Sequence, residues 1–200
     1  PDLAIGERVK KILILASGIV GAEFLKAASK LGPETEIYAF WDDTSEYPPP
    51  QGVAYTMIGP EEIEETRLSF DVGVLAWWPK IISQKLVRRA KMGFINIHPS
   101  LLPEGRGKDP NFWAIVEEVP FGVTAHIVGS SIDTGPRLAW SEIPFDWGST
   151  GGSLYDEAVR KAPSVLLEGL KSLINGSSGE TLDYSNVRAP KRRSELEPAS

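Results

Sequence analysis

The sequence predicts an α/β domain with a mostly parallel central sheet flanked by helices. Short apolar runs that resemble strands alternate along the chain with segments that have the apolar period of a helix. Most of the strand-like runs are continuously apolar, which is typical of strands covered on both faces. A glycine turn, Ser17-Gly18, joins the first run to the first helix, as in sheets built from strand–helix–strand units.

The predicted elements follow one another in an order that fits a single α/β domain. Strands are predicted over residues 11–16, 36–41, 53–58, 72–77, 94–98, 121–128 and 138–145. Helices are predicted over residues 19–31, 60–66, 83–91, 111–118 and 153–174. At least one of the later strands is expected to run antiparallel to its neighbour. The domain is expected to cover residues 1–175, with residues 176–200 forming a docked or flexible tail.

The composition disfavours several classes of protein. With 21 Lys and Arg against 27 Asp and Glu, the net charge is −6, which argues against a dedicated nucleic-acid binder. The absence of cysteine excludes thiol nucleophiles, and with only two histidines no metal site is expected. No apolar run reaches the roughly 20 residues of a membrane helix. We therefore expect a cytoplasmic protein with no membrane partner. The oligomeric state is left open, and a homodimer is one option.

A carboxamide and an imidazole stand at the end of the fifth predicted strand. The two-residue period of a strand places Asn96 and His98 on one face, while Ile95 and Ile97 point to the other. The ends of such strands are where α/β sheets present ligand-binding groups. The alternative is that both side chains are satisfied polar groups of the core.

A single carboxylate, Asp133, lies among small residues in the loop after the next predicted strand. Glycines on either side would let this carboxylate approach a substrate closely, although an Asx turn between two strands explains the same pattern. His126, within an otherwise apolar strand, is interpreted as structural.

Several other groups are candidates for substrate contacts. Ser17 and Gly18 offer main-chain amides at a helix start, which can hold a phosphate, but they lack the full dinucleotide fingerprint. Arg106, Gly107 and Lys108 form a cationic turn that suits an anion or is simply solvated. The Trp77-Trp78 pair can form a wall for a flat heterocycle or cap the core.

Four of these motifs, in this order and spacing, resemble the formyltransferase family that uses 10-formyltetrahydrofolate. They are residues 95–103 (INIHPSLLP), Arg106-Gly107, residues 121–126 (FGVTAH) and residues 132–136 (IDTGP). The resemblance spans about residues 10–174 and implies a Rossmann-like formyltransferase domain. The members of the family that it suggests are nucleotide-sugar N-formyltransferases, the N-terminal domain of methionyl-tRNA formyltransferase and glycinamide ribonucleotide formyltransferase.

The resemblance implies that Asn96, His98 and Asp133 are the catalytic residues. Asn96 and His98 would then donate hydrogen bonds to the oxygen that gains charge as an amine attacks the formyl carbon. Asp133 would favour a protonated His98 imidazole and relay the proton that the amine loses. No metal takes part.

The resemblance also implies a folate pocket. Lys80, Ile81 and Ile82 match the family segment that grips the pterin, with Trp78 beside them, and Phe94 would line the pocket. The main chain of the next loop would bind the polar edge of the pterin, through Gly129, Ser130, Ser131 and Ile132.

The resemblance narrows the identity of the amine acceptor to three candidates. A nucleotide-linked amino sugar is the preferred acceptor, bound by Ser17, Gly18, Arg106, Gly107 and Lys108. Methionyl-tRNA formyltransferases carry an additional C-terminal barrel and a basic surface, whereas this sequence ends near Ser200 with a net charge of −6, which argues against a tRNA acceptor unless the sequence is truncated. Glycinamide ribonucleotide and methionyl-tRNA are the alternative acceptors, and a non-catalytic folate- or nucleotide-binding module is the alternative function.

Overall fold

The fold is built on one seven-stranded sheet. The computed structural model describes residues 9–59 and 69–191, and the helix predicted over residues 60–66 lies outside them. The strands are β1 (Lys11–Ala16), β2 (Glu36–Trp41), β3 (Thr56–Met57), β4 (Val72–Ala76), β5 (Phe94–His98), β6 (Gly122–Ile127) and β7 (Arg137–Glu142). The helices are α1 (Gly18–Ala28), α2 (Gln84–Val87), α3 (Pro110–Glu117) and α4 (Gly151–Ile174).

The sheet has the strand order β3-β2-β1-β4-β5-β6-β7. The pairs from β3 to β5 are parallel, whereas β6 is antiparallel to both β5 and β7. The predicted fold class, including the antiparallel later strands, is therefore confirmed. Because β1, β4 and β5 are parallel, their carboxyl ends meet at one edge of the sheet, which is where such sheets bind ligands.

Both faces of the sheet are covered by apolar side chains. Ile95 and Ile97 of β5 point into the larger core, which α1 and α4 cover. Helix α4 begins at Gly151 rather than Ser153 because Thr150 and Ser153 form a reciprocal capping box. It continues to Ile174 with Pro163 inside it. None of the described helices, α4 included, is long and apolar enough to span a membrane.

The helix that Ser83 caps is shorter than predicted. The Ser83 hydroxyl accepts from the Leu86 N–H, as expected of an N-cap, but α2 ends at Val87 instead of residue 91. The chain after α2 pairs with Phe70: the Phe70 N–H donates to the Arg89 carbonyl at 2.9 Å, and the Lys91 N–H donates to the Phe70 carbonyl at 2.9 Å. This pairing takes the main chain out of the helix.

The chain after α4 is docked as far as the structure describes it. Glu180 forms an antiparallel bridge with Arg137, and Lys191 forms a parallel bridge with Gly107. Residues 192–200, which include two cations of the 191–193 cluster, lie outside the described residues.

Candidate active site

Strand β5 places Asn96 and His98 on the face opposite the larger core. Phe94 lies on the same face two residues earlier and is fully buried in the smaller core. Gly73 on β4 leaves the space for that ring, since a Cβ there would lie 2.3 Å from the Phe94 side chain. The alternation predicted for this strand is therefore what the structure shows.

Strand β6 brings His126 directly opposite Asn96. The two residues are register partners in the antiparallel β5–β6 pair, and Nδ2 of Asn96 lies 3.3 Å from Nε2 of His126. Nδ1 of His126 donates to the Ile127 carbonyl at 2.9 Å, so in the neutral ring Nε2 accepts from the Asn96 amide. His126 thus orients the carboxamide, a role that its interpretation as structural missed. The signal was present in the sequence, because Thr124 and His126 are polar at the two-residue period of the strand.

Asp133 completes the cluster from the loop between β6 and β7. Its Oδ2 lies 3.6 Å from Nδ1 of His98, and its Oδ1 lies 3.6 Å from Nε2 of His126. The backbone of Asp133 has a φ of 50°, a left-handed conformation that Asp tolerates better than most residues. At the neck of the loop, a Cβ on Gly135 would lie 1.6 Å from the Ile127 carbonyl oxygen, so only glycine lets the two strands approach there.

The loop after β5 fixes the His98 ring from the other side. Nε2 of His98 donates to the Gly105 carbonyl at 2.8 Å, which leaves Nδ1 facing the Asp133 carboxylate. The Thr124 hydroxyl pins the same loop, donating to the Ser100 carbonyl at 2.8 Å and accepting from the Leu102 N–H at 3.1 Å. Within the described ranges, no group of His, Asp and Glu side chains is arranged to hold a metal ion.

Burial and charge shift the protonation of the cluster in opposite ways. Burial lowers the pKa of His98 below its ordinary 6.5, and the Asp133 charge only partly offsets that effect. Burial alone would raise the pKa of Asp133, but the charge of a protonated His98 and the hydrogen bond from the Gly107 N–H hold it well below its ordinary 3.8. The resting cluster is therefore a neutral imidazole beside a carboxylate. Asp133 does favour the protonated imidazole, in the direction expected, but burial of the ring has the larger effect on the pKa of His98.

Two of the predicted substrate contacts at the cationic turn are engaged inside the protein. Arg106 donates from Nε and Nη2 to the Ile132 carbonyl, at 3.1 and 2.9 Å. The Gly107 N–H donates to Oδ2 of Asp133 at 3.1 Å. Both therefore support the carboxylate loop. Lys108 is exposed, and its positive charge contributes to lowering the pKa of His98, so it lies close to the cluster.

Ser17 and Gly18 lie at the carboxyl end of β1, in a separate polar group. The Ser17 hydroxyl donates to Asp42 at 3.1 Å, and the Gly18 N–H donates to the Ser45 hydroxyl at 3.2 Å. Nζ of Lys80 lies 3.2 Å from Oδ1 of Asp42, which is buried. The structure thus ties Lys80 to the β1 turn and places these residues in a network of their own.

A cleft of about 270 Å³ opens beside α2. Its apolar wall is formed by Leu15, Phe40, Trp78, Ile81, Ile82 and Leu86. Three cationic side chains, Lys80, Lys85 and Arg89, also line it. The cleft therefore offers apolar surface for a flat ring system next to positive charge for carboxylates.

The structure divides the predicted folate-pocket residues into two groups. Trp78, Lys80, Ile81 and Ile82 all line the cleft. Phe94 is a buried support in the core beneath, rather than a lining residue. The loop from Gly129 to Ile132 does not line the cleft either, and its Ser130, Ser131 and Ile132 are exposed beside Asp133.

Fold and site together define a Rossmann-like α/β domain with an Asn, His and Asp cluster at the carboxyl edge of its sheet. Residues 59–170 match the family described as Formyl transferase. Because that match covers more than half of the chain, the chain belongs to the formyl transferase family, as the order of its motifs indicated.

Individual relatives agree with this family. The methionyl-tRNA formyltransferase of Agathobacter rectalis is 30% identical over 130 residues, which is 61% of this chain and 42% of that protein. The chain thus spans less than half the length of this curated relative. Among solved structures, a 4-N formyltransferase from Francisella tularensis superposes with a TM-score of 0.73 at 19% identity, covering 90% of this chain and 76% of that one. Glycinamide ribonucleotide transformylase 1 from Symbiobacterium toebii superposes with a TM-score of 0.67 at 19% identity, covering 84% and 89%. These structures share the fold.

Proposed function

We propose that the chain transfers a formyl group from 10-formyltetrahydrofolate to a primary amine. The observation that carries the proposal is the meeting of Asn96, His98 and Asp133, distant in sequence, at one edge of the sheet. The separation of 3.6 Å between His98 and Asp133 and the burial of both side chains suit an ion pair between Asp133 and the imidazolium that forms when His98 accepts a proton.

The cleft beside α2 fits the formyl donor. Trp78, Phe40 and Ile82 suit a flat pteridine, and Lys85 suits a carboxylate of the glutamate tail, while Lys80 is paired with Asp42. The smaller core connects the cleft to the cluster: Leu15 lines the cleft and packs in the same core as Phe94, two residues before Asn96. The donor supplies a formyl carbon for an amine to attack.

Asn96 stabilises the charge that develops on the formyl oxygen. A carboxamide has two N–H groups, and the bond from one of them to His126 holds the plane of the amide. The second N–H then donates to the oxygen without a reorganisation of the side chain. One such donor contributes about 3 to 4 kcal/mol to stabilisation of a transition state.

His98 accepts the proton that the amine loses, and Asp133 stabilises the positive charge that results. As the amine nitrogen bonds to the formyl carbon, it loses a proton to Nδ1 of His98, through water, because Nε2 keeps its own proton on the Gly105 carbonyl. The imidazolium that forms is paired with Asp133. The bond from the formyl carbon to the folate nitrogen then breaks, and that nitrogen takes up the proton held by the His98 imidazolium, through water, which restores the neutral ring.

A nucleotide-linked amino sugar is the acceptor that we infer. Trp77 follows β4 at the same sheet edge, and its ring lies 6.0 Å from that of Tyr155, which gives a base an aromatic surface. Lys108 supplies an exposed cation near His98 for a phosphate. The net charge of −6 opposes a large polyanion such as tRNA.

The test is tetrahydrofolate release with a panel of amines: a nucleotide-linked amino sugar, glycinamide ribonucleotide and methionyl-tRNA. We expect release that depends on the amine and is greatest with the nucleotide sugar, and that Asn96→Ala abolishes it. Release that is greatest with methionyl-tRNA, the acceptor in the name of the Agathobacter relative, would correct the acceptor and keep the reaction. Binding of the donor with no release for any amine would indicate a non-catalytic module.

A further inference from the structure

The segment that follows α4 returns to the sheet and then to the loop before α3. We call residues 180–191 the strap. At its start, Glu180 and Arg137 exchange two main-chain hydrogen bonds of 2.8 Å, and Nη2 of Arg137 lies 2.6 Å from Oε2 of Glu180. Arg137 begins β7, four residues after Asp133, so the strap starts at the strand that follows the Asp133 loop.

At its other end, the strap pairs with the cationic turn. The Lys191 N–H donates to the Arg106 carbonyl at 2.9 Å, and the Lys108 N–H donates to the Lys191 carbonyl at 3.0 Å. Gly107 permits this contact, since its φ is 89° and a Cβ there would lie 2.3 Å from the Lys191 carbonyl oxygen.

Side chains anchor this end of the strap to α3. Nζ of Lys191 lies 3.1 Å from Oε1 of Glu117 and 3.9 Å from the centre of the Trp113 ring. Arg188 pairs with the same Glu117 carboxylate. These charges outweigh burial and lower the pKa of Glu117, so the anchor is ionic at neutral pH.

Between these two ends, Tyr184 covers Arg106. The guanidinium carbon lies 5.2 Å from the centre of the Tyr184 ring, within the range of a cation–π contact. The Tyr184 hydroxyl is buried and has no hydrogen-bond partner among the described residues. The ring, and not the hydroxyl, is therefore what holds Arg106.

The turn that the strap holds is also the turn that holds Asp133. Arg106 binds the carbonyl of Ile132, the residue before Asp133, and Gly107 binds the carboxylate itself. The strap therefore contacts the same turn, residues 106–108, that binds Ile132 and Asp133.

We propose that the strap is a positioning element that sets Asp133 against His98. This inference rests on the proposed function only for its effect on turnover. The positioning itself is measurable on the unliganded protein, because the Asp133 carboxylate, 3.6 Å from Nδ1 of His98, raises the pKa of that ring and partly offsets its burial. The groups that act on the His98–Asp133 pair from the packed elements are His126, Lys108, the Gly105 carbonyl and the Gly107 N–H. Tyr184 of the strap also faces Asp133, whose charge contributes to raising the pKa of the Tyr184 hydroxyl.

The experiment compares Tyr184→Ala with Tyr184→Phe, and Glu117→Gln with Glu118→Gln, in the full chain. We expect Tyr184→Ala to lower kcat about tenfold or more, because misplacement of a catalytic group by about 1 Å has effects of up to 10²-fold. KM for the amine and for the donor should stay within about twofold. In the NMR titration, the pKa of His98 should fall further, since the carboxylate that raises it has moved away. Glu117→Gln should act in the same direction even if Tyr184→Ala fails to fold.

Tyr184→Phe and Glu118→Gln should both behave as wild type, because the first keeps the ring and the second changes an exposed neighbour of the anchor. An unchanged His98 titration in folded Tyr184→Ala would overturn the proposal. So would an equal loss in Tyr184→Phe, which would assign the effect to the hydroxyl, or a rise in KM for the amine alone, which would make the strap an acceptor contact. If the wild type transfers no formyl group, the proposed function fails, and the titration still decides whether the strap positions Asp133.

Discussion

Replacement of Asp133 by Asn removes a charge and leaves a side chain of the same shape. The carboxylate lies 3.6 Å from Nδ1 of His98, and the two side chains are only 12% and 7% exposed. At an effective dielectric constant of about 20, opposite charges at that distance attract by roughly 4 to 5 kcal/mol. Because that attraction favours the imidazolium, the pKa of His98, already lowered by burial, should fall further in Asp133→Asn.

The assay is an NMR titration of the imidazole protons. The sequence has two histidines, so His98→Gln assigns both signals. Asp156→Asn, an exposed change on α4, is the matched control and should leave the titration unchanged. Turnover of Asp133→Asn should fall about 10²- to 10⁴-fold, the range for loss of a proton-transfer group. A His98 titration equal to that of wild type, or one shifted upward, would refute the electrostatic coupling on which the mechanism depends.

Three further predictions follow from the site. Asn96→Ala should lower kcat about 10²- to 10³-fold with little change in melting temperature, and a kcat near wild type would remove Asn96 from the mechanism. Lys85→Gln should raise KM for the donor about two- to fivefold, as expected for an exposed charge contact. Lys30→Gln, far from the cleft, is the control and should leave KM unchanged. Equal KM values for the two variants would show that the donor tail binds elsewhere. The pKa of His98 is lowered in the folded state, so the unfolded chain takes up more protons and the free energy of unfolding should fall as the pH drops below 6.5. Denaturant unfolding of His98→Gln over that range should show a smaller loss, and the same slope as wild type would contradict a buried neutral His98.

Much of the site could be predicted because strand geometry is periodic. Alternation along β5 was enough to place Asn96 and His98 on one face, and the glycines around Asp133 indicated a close approach. The polar alternation of Thr124 and His126 was visible in the sequence, but the contact of His126 with Asn96 depends on the register between β5 and β6, which that local pattern does not specify. The contact between Asn96 and His126 depends on which strand pairs with β5, and that pairing depends on the packing of the whole sheet.

The roles of the cationic turn also depended on long-range contacts. Arg106 and Gly107 were predicted to bind an anion of the substrate, yet they hold Ile132 and Asp133, 26 residues away in each case. The sequence indicated that Asp133 favours a protonated His98, and its charge does raise the pKa of that ring, but the sequence does not show how completely the ring is buried, which lowers the pKa overall. Desolvation is a property of the packed structure.

The fate of a labelled formyl carbon is the most direct test of the central claim. The experiment is a single turnover with isotopically labelled 10-formyltetrahydrofolate and an amine acceptor. If the protein transfers the formyl group, we expect the label to move to the amine nitrogen and tetrahydrofolate to appear in equal amount. Label released as formate in the absence of amine would instead identify a hydrolase, and label that stays on the bound donor would contradict catalysis altogether.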